Sequence, residues 1–359
     1  MRFFLILLYA AAALSAQTIA WTDIRQSDIE GQGWRDTKAP FDRMPAKAEK
    51  AIRPAVWSLS RNSAGMRVRF TTGAPAIHAR WTVMKENLAL PHMPATGVSG
   101  LDLYVKQDGQ WRWIANGRPE KKTNEQALVQ NYKGPVREYL LYLPLYNGIE
   151  SISVGVPEGA KLELLPPDTR KPVLFYGTSI LQGGCASRPG MVYTSIIGRR
   201  LDYPTINLGF SGNALSEPEI AQLLAELDPA VYVYDSLPNL GTVAMVNERT
   251  EPFLRTLRKA HATTPIILIE NVIYTQAEAV SSRPEQAREK NRALRVIYEK
   301  LKAEGDQNLY YVSGTNLLGL DGEGTVDGSH PTDLGFLRMA EEIGPVVGQA
   351  LARKVDSVR

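Results

Sequence analysis

An antiparallel β-sandwich followed by a parallel sheet covered on both faces by helices is the architecture this 359-residue sequence predicts. Three observations carry it. From Trp21 to about Leu165 apolar and polar residues alternate with period two; from Val173 onward near-continuous apolar runs are separated by helical patterns; and the proline-rich stretch 166–172 separates the two rhythms.

In the first part the runs "GMRVRFTTG" (65–73), "IHARWTV" (77–83), "GLDLYVKQDGQWRWIANG" (100–117), "REYLLYLPL" (137–145) and "IESISVGV" (149–156) read as short strands bounded by Gly, Pro, Asp and Asn turns, and Asp108-Gly109 is a hairpin signal. Many short strands without long helical patterns give a sandwich or jelly roll over residues 21–165. In the second part strands start near residues 173, 205, 230, 265 and 309, and helices cover about 191–201, 216–227, 246–262, 284–304 and 332–352. That alternation makes residues 173–359 a five-stranded parallel unit, with 166–172 as the linker.

The first residues, Arg2 followed by an apolar run from Phe3 to Leu14 and then Ser15-Ala16-Gln17, read as a signal peptide within residues 1–20, so the mature protein is expected to be exported, periplasmic or secreted. The run is shorter than the roughly 20 residues a membrane span needs, so no integral membrane segment is expected after cleavage. A net charge of only +3 without a long basic run argues against nucleic acid as a partner. Cys185 is the single cysteine, so the fold has no internal disulfide, and a packed thiol is its commoner role than a nucleophile.

Ligands of parallel sheets gather beyond the carboxyl ends of the strands. The first such loop, "GTSILQGG" from Gly177, matches neither a phosphate loop nor a dinucleotide turn, because no lysine follows the glycines and no G-x-G-x-x-G is present. It does place Ser179 at a strand-to-helix turn, where a hydroxyl is exposed and backbone N–H groups can face an oxyanion; an ordinary N-cap is the plainer alternative. The second loop, "NLGFSGNA", holds Gly209, Gly212 and Asn213; glycine here permits either a left-handed turn or a close-approaching N–H. The third, "YDSLPNLG", offers Asn239 as an amide donor or as a turn residue. The last, "NLLGLDGEGTVDGSHPTDLGF", puts Asp327 three residues before His330, so that the carboxylate can fold back on one ring nitrogen and leave the other for a serine proton. Of the other histidines, His78 lies in an alternating strand and His261 at a helix end, and His92 is the rival base.

This order of Gly-x-Ser, glycine loop, asparagine loop and terminal Asp-x-x-His-Pro resembles the SGNH (GDSL-like) hydrolase superfamily over about residues 171–352, and the preceding β-domain looks like the N-terminal module of exported, carbohydrate-esterase-like members. The resemblance implies a flavodoxin-like sheet, with Ser179 as nucleophile, Asp327 and His330 completing a triad, and Ser179, Gly212 and Asn239 forming the oxyanion hole. The G-D-S-L of the family reads Gly177-Thr178-Ser179-Ile180 here, and its G-x-N-D reads Leu237-Pro238-Asn239-Leu240, with Asn213 and Asn271 as alternative amides. It implies a serine esterase that removes acyl groups, O-acetyl above all, from carbohydrate or another small ester, with no metal or organic cofactor. A carbohydrate-binding protein with a degenerate hydrolase domain, a nucleotide-binding protein, and a lipase or acyl-thioesterase are the alternatives. The tryptophans Trp34, Trp57, Trp81, Trp111 and Trp113 offer sugar-stacking faces, although their strands suggest core positions for most. The long loop "LPHMPATGVSG" (90–100) is expected to reach Ser179 and wall the cleft.

Overall fold

The first half of the chain contributes ten strands: β1 (Ile19–Asp23), β2 (Ile29–Glu30), β3 (Arg67–Thr72), β4 (Ile77–Val83), β5 (Leu101–Gln107), β6 (Gln110–Gly117), β7 (Thr123–Val129), β8 (Arg137–Tyr142), β9 (Ile149–Pro157) and β10 (Leu162–Leu164). They form two antiparallel sheets, ordered β1-β9-β4-β7 and β10-β3-β8-β5-β6 with β2 on β3. The computed structural model describes residues 18–274 and 281–356. Alternation is the reason the sheets face each other: along β4, Ile77, Ala79, Trp81 and Val83 are buried, and they meet Val68, Phe70, Leu103 and Leu141 of the other sheet. Asp108 and Gly109, both at positive φ, close the β5–β6 hairpin.

Four strands lie outside the runs singled out in the sequence. β2 and β10 are too short for a period to show; β7 (TNEQALV) is mostly polar; and β1 begins inside the stretch assigned to the signal peptide, whose residues 1–17 lie outside the described residues. Two short helices, α1 (Pro54–Ser60) and α2 (Ala95–Val98), also belong to this half.

The second half contains β11 (Val173–Gly177), α3 (Ser179–Gln182), α4 (Tyr193–Arg200), β12 (Thr205–Gly209), α5 (Pro218–Ala225), β13 (Val231–Asp235), α6 (Val243–Ala260), β14 (Ile266–Ile269), α7 (Arg283–Ala303), β15 (Leu309–Val312) and α8 (Asp333–Asp356). The five strands are parallel in the order β12-β11-β13-β14-β15, the flavodoxin-like arrangement. Every residue of β11, β12 and β13 is buried, which explains why their sequences are predominantly apolar. Val173 and Phe175 face a core shared with α4 and α8; Leu174 and Tyr176 face one shared with α5, α6 and α7.

Both cores extend into the first half of the chain. Trp34, Met44, Ala48, Ile52 and Val56 pack into the second core, and Met93, Val98 and Leu145 into the first. Burial of such side chains is worth about 1.5–3 kcal/mol each, so the two halves are fused rather than tethered. Arg43 seals the seam: its guanidinium is fully buried and donates to the carbonyls of Asn62, Leu59, Asn207 and Gly209. Burial pulls its pKa down to about 9, which leaves it charged at neutral pH. Among the described residues no helix is long and apolar enough to cross a membrane.

Candidate active site

Ser179 opens α3 just after β11, which lies between β12 and β13 in the sheet. Thr178 is the N-cap, and its side chain accepts from the Ile180 N–H, which fixes the turn that lifts Ser179 above the sheet. The Ser179 hydroxyl lies 2.9 Å from His330 Nε2. His330 sits three residues before α8, and its Nδ1 lies 2.7 Å from Asp327 Oδ2. The other carboxylate oxygen accepts the backbone N–H groups of Ser329 and His330 at 2.9 and 2.8 Å. A carboxylate beside Nδ1 holds the proton there, so Nε2 presents a lone pair to the serine. Partial burial works against ionisation of Asp327, but the hydrogen bonds from His330 and Ser329 outweigh it and lower its pKa to about 2. A hydroxyl, a neutral imidazole and an ionised carboxylate in line can pass a proton from oxygen to nitrogen and stabilise the resulting cation.

The three donors named for an oxyanion lie in the loops after three adjacent strands: Ser179 after β11, Gly212 after β12 and Asn239 after β13. Among the described residues neither the Ser179 nor the Gly212 backbone N–H has an acceptor. Gly212 has φ +68 and open space where a Cβ would stand, so its N–H sits on an unobstructed left-handed turn. The Asn239 side-chain carbonyl accepts the Ala214 N–H at 3.1 Å, which ties its acceptor end and leaves Nδ2 without a partner among the described residues. The alternative amides are placed differently. Asn213 is held by Arg53 and by the Ser211 carbonyl, and Asn271 is buried against Asn291.

One side of the site comes from the β-sandwich half. Leu90 and Met93 bond to each other across a tight turn, Met93 anchors in the core beneath, and His92 at the tip brings its ring to 5.5 Å from that of His330. Tyr146 donates to the Ser179 carbonyl at 3.1 Å. Gly184 must be glycine here, since a Cβ would stand 2.9 Å from the His330 ring. Cys185 is 5% exposed, and burial, with the Asp327 carboxylate nearby, pushes its thiol up to about 12, which removes it as a nucleophile. His78 packs edge-on to Trp21, and His261 caps the end of α6 and contacts the Ala225 carbonyl, both remote from Ser179 in role.

Several residues that organise the site lie outside the runs read as catalytic in the sequence. Asp102, inside the fully buried run Leu101–Val105, accepts from Arg188, the Gly190 N–H and Trp113 at 2.8 Å each, and so ties the segment after α3 to the sandwich. Burial pushes the Asp102 carboxyl up while Arg188 pulls it down. A charge in a wholly buried strand demands such a partner, and that was the available signal. Arg53 grips Asn213 and Glu217, and Gln182 accepts the Ser211 N–H, both bracing the Gly212 loop. The tryptophans are mostly structural, as their strands suggest: Trp34 and Trp81 are buried, Trp57 packs on the core, Trp111 bonds Asp202, and the half-exposed Trp113 lies under Arg188.

The fold is a flavodoxin-like parallel sheet, and Ser179, His330 and Asp327 stand in a hydrogen-bonded line beyond the carboxyl end of β11. The model of the GDSL-like lipase/acylhydrolase family matches residues 170–348, and that of the "N-terminus of Esterase_SGNH_hydro-type" (GxDLY) matches residues 19–162, where Gly100 to Tyr104 reads G-L-D-L-Y. A structure from Bacteroides ovatus described as a GDSL-like lipase is 36% identical, with 93% of this chain and 98% of that one aligned and a TM-score of 0.87. The chain belongs to the GDSL-like (SGNH) hydrolase family, and its function is of the ester-hydrolysing type. The fold is shared with a salicylyl-acyltransferase of a tetracycline biosynthetic pathway (19% identity, TM-score 0.69, 91% and 98% coverage). It is shared also with a family two carbohydrate esterase from Clostridium thermocellum in complex with cellohexaose (14%, 0.56, 80% and 92%). No curated protein matches significantly.

Proposed function

We propose that this chain is an exported serine esterase that removes ester-linked acyl groups, O-acetyl above all, from carbohydrate, with residues 173–359 as the catalytic domain, 21–165 as its accessory domain and 166–172 as the linker. The observation that carries this reading is the hydrogen-bonded line from Ser179 through His330 to Asp327 at the carboxyl end of β11. Ser179 Oγ attacks the ester carbonyl while His330 Nε2 takes its proton, and Asp327 stabilises the imidazolium. The oxyanion that forms is held by the Ser179 and Gly212 N–H groups and the Asn239 amide, which have no other partner among the described residues. His330 then gives its proton to the leaving sugar hydroxyl; water, activated by the same imidazole, releases the carboxylic acid and restores Ser179.

Carbohydrate as the carrier is supported by the signal-like N-terminus and by the fold shared with carbohydrate esterases, including an acetyl xylan esterase from Butyrivibrio proteoclasticus (13% identity, TM-score 0.55, 93% and 99% coverage). Incubating the purified protein with an aryl acetate and with a panel of acetylated oligosaccharides, followed by mass spectrometry, tests the proposal. Loss of acetyl from at least one oligosaccharide is the expected outcome. Turnover restricted to long-chain esters or thioesters would replace the substrate class, and no turnover of any ester would leave a binding protein.

A further inference from the structure

Three side chains from separate parts of the chain converge beside Ser179. The turn at Leu90–Met93 presents His92, the segment after α3 presents Cys185, and the loop before α8 presents His330; one donor atom from each lies within 4.8 Å of the others. It is the one such group of three or more metal-ligating side chains among the described residues. Tetrahedral zinc bound by imidazole nitrogen and thiolate sulfur sets its donors about 3.3–3.6 Å apart, so a contraction of roughly 1 Å by side-chain rotation would close this set.

The chemistry of the donors is as specific as their spacing. One sulfur with two imidazoles suits zinc rather than magnesium or calcium, which prefer oxygen. His330 can enter only through Nε2, because Nδ1 is engaged by Asp327 at 2.7 Å. A carboxylate on the far nitrogen is the outer partner that zinc-bound histidines commonly carry, fixing the tautomer and strengthening the ligand. Cys185 stands at φ +73, a backbone region that non-glycine residues seldom occupy, immediately after a glycine pair.

We propose that His92, Cys185 and His330 form a regulatory zinc site whose occupation switches ester hydrolysis off. The inference rests on the triad reading for its effect on activity. On binding, the Cys185 S–H bond breaks, its proton leaves to solvent, and a zinc–sulfur bond takes its place. The metal also takes the Nε2 lone pair that would accept the Ser179 proton. Ser179 then keeps its proton and has no base. Zinc further clamps the sandwich-borne turn at His92 onto the catalytic unit, and water fills the fourth position. A chelator reverses the block: as it removes the metal, Cys185 regains its proton from solvent and His330 Nε2 regains its lone pair.

Cobalt(II) is the binding probe, because a cobalt–thiolate bond absorbs in the near ultraviolet and cobalt–imidazole or cobalt–carboxylate bonds do not. The wild type is expected to give a saturable thiolate band that zinc displaces. Cys185→Ala is expected to lose the band, and His92→Ala to bind at least tenfold more weakly. In the activity arm, zinc inhibits aryl acetate turnover by the wild type and EDTA restores it. Cys185→Ala, as active as wild type without metal, should need at least tenfold more zinc for half-inhibition. No thiolate band in the wild type, or equal zinc sensitivity of wild type and Cys185→Ala, overturns the proposal. The cobalt arm needs no turnover: a chain that binds cobalt through Cys185 yet cleaves no ester supports the metal site and refutes the esterase reading alone.

Discussion

The loop that carries Asp327 and His330 and the loop that carries Gly212, which the proposed mechanism assigns to the same serine, are held in opposite ways. The first holds itself: Asp327 accepts from the backbone and ring of His330 three residues away and from Ser329, and Val326 donates to the His330 carbonyl. The second is held from outside. Arg43 reaches the Gly209 carbonyl across 166 positions of sequence, Arg53 reaches Asn213 across 160, and Gln182 and Asn239 hold Ser211 and Ala214 across 29 and 25. The proposed His330–Asp327 relay is therefore encoded within four consecutive residues, whereas the proposed oxyanion loop is braced in part by Arg43 and Arg53 of the β-sandwich half and in part by Gln182 and Asn239.

Substitutions can break this contrast, beginning with the strongest. Asp327→Asn keeps the size of the side chain but removes the charge and the tautomer control, and kcat for an aryl acetate should fall about 10³–10⁴-fold with little change in KM. A fall of less than tenfold would mean that His330 does not depend on Asp327. Asn239→Ala should lower kcat by about 10²–10³-fold, the usual effect of one oxyanion donor. If Asn239 merely shapes a turn, the same variant would lose stability and keep its rate.

Arg43→Met tests the outside support. It leaves four buried carbonyls without their donor, so urea denaturation should show a loss on the order of 3 kcal/mol. The folded variant should also lose kcat by roughly tenfold, because the Gly209–Gly212 turn is no longer fixed. Unchanged kcat in a destabilised variant would confine Arg43 to stability and weaken the claim that the sandwich shapes the site.

The two halves of the site were unequally legible in the sequence for the same physical reason. Asp327 and His330 announce themselves because their spacing is local, and Ser179 because its turn follows a strand whose apolar run is unmistakable. Asn239 lacked its usual neighbours; the structure ties one end of its amide to Ala214 and gives the other no partner among the described residues. Arg43 and Arg53 sit in ordinary-looking segments, and only the packing of residues 34–56 onto the parallel sheet gives them meaning; Asp102, a charge in a buried strand, gains its meaning from Arg188 and Gly190. Period-two alternation finds the longer strands that carry it, and it misses the short β2 and β10, the polar β7 and β1 at the end of the signal-like stretch.

A smaller effect separates two carboxyls of the second half, one exposed and one buried, by sign. Asp327 is depressed to about 2, so the stability it contributes is present above the unfolded value near 3.8 and is lost as pH falls through about 2. Asp235, fully buried at the end of β13 beside the Tyr193 hydroxyl, is raised by burial to about 7. It is neutral in the fold and ionised in the unfolded chain between those limits, so its contribution declines from about pH 4 to about pH 7 and is then flat. Thermal melts across that range should show a shallower decline for Asp235→Asn than for the wild type; parallel curves would mean that Asp235 is ionised in the folded state.

The nucleophile itself can be read directly. An organophosphonate carrying an aryl leaving group, incubated with the intact protein and followed by peptide mass spectrometry, should leave one adduct on the peptide containing Ser179, and none on Ser179→Ala. An adduct on Cys185, or labelling of the wild type and the Ser179→Ala variant alike, would contradict the account.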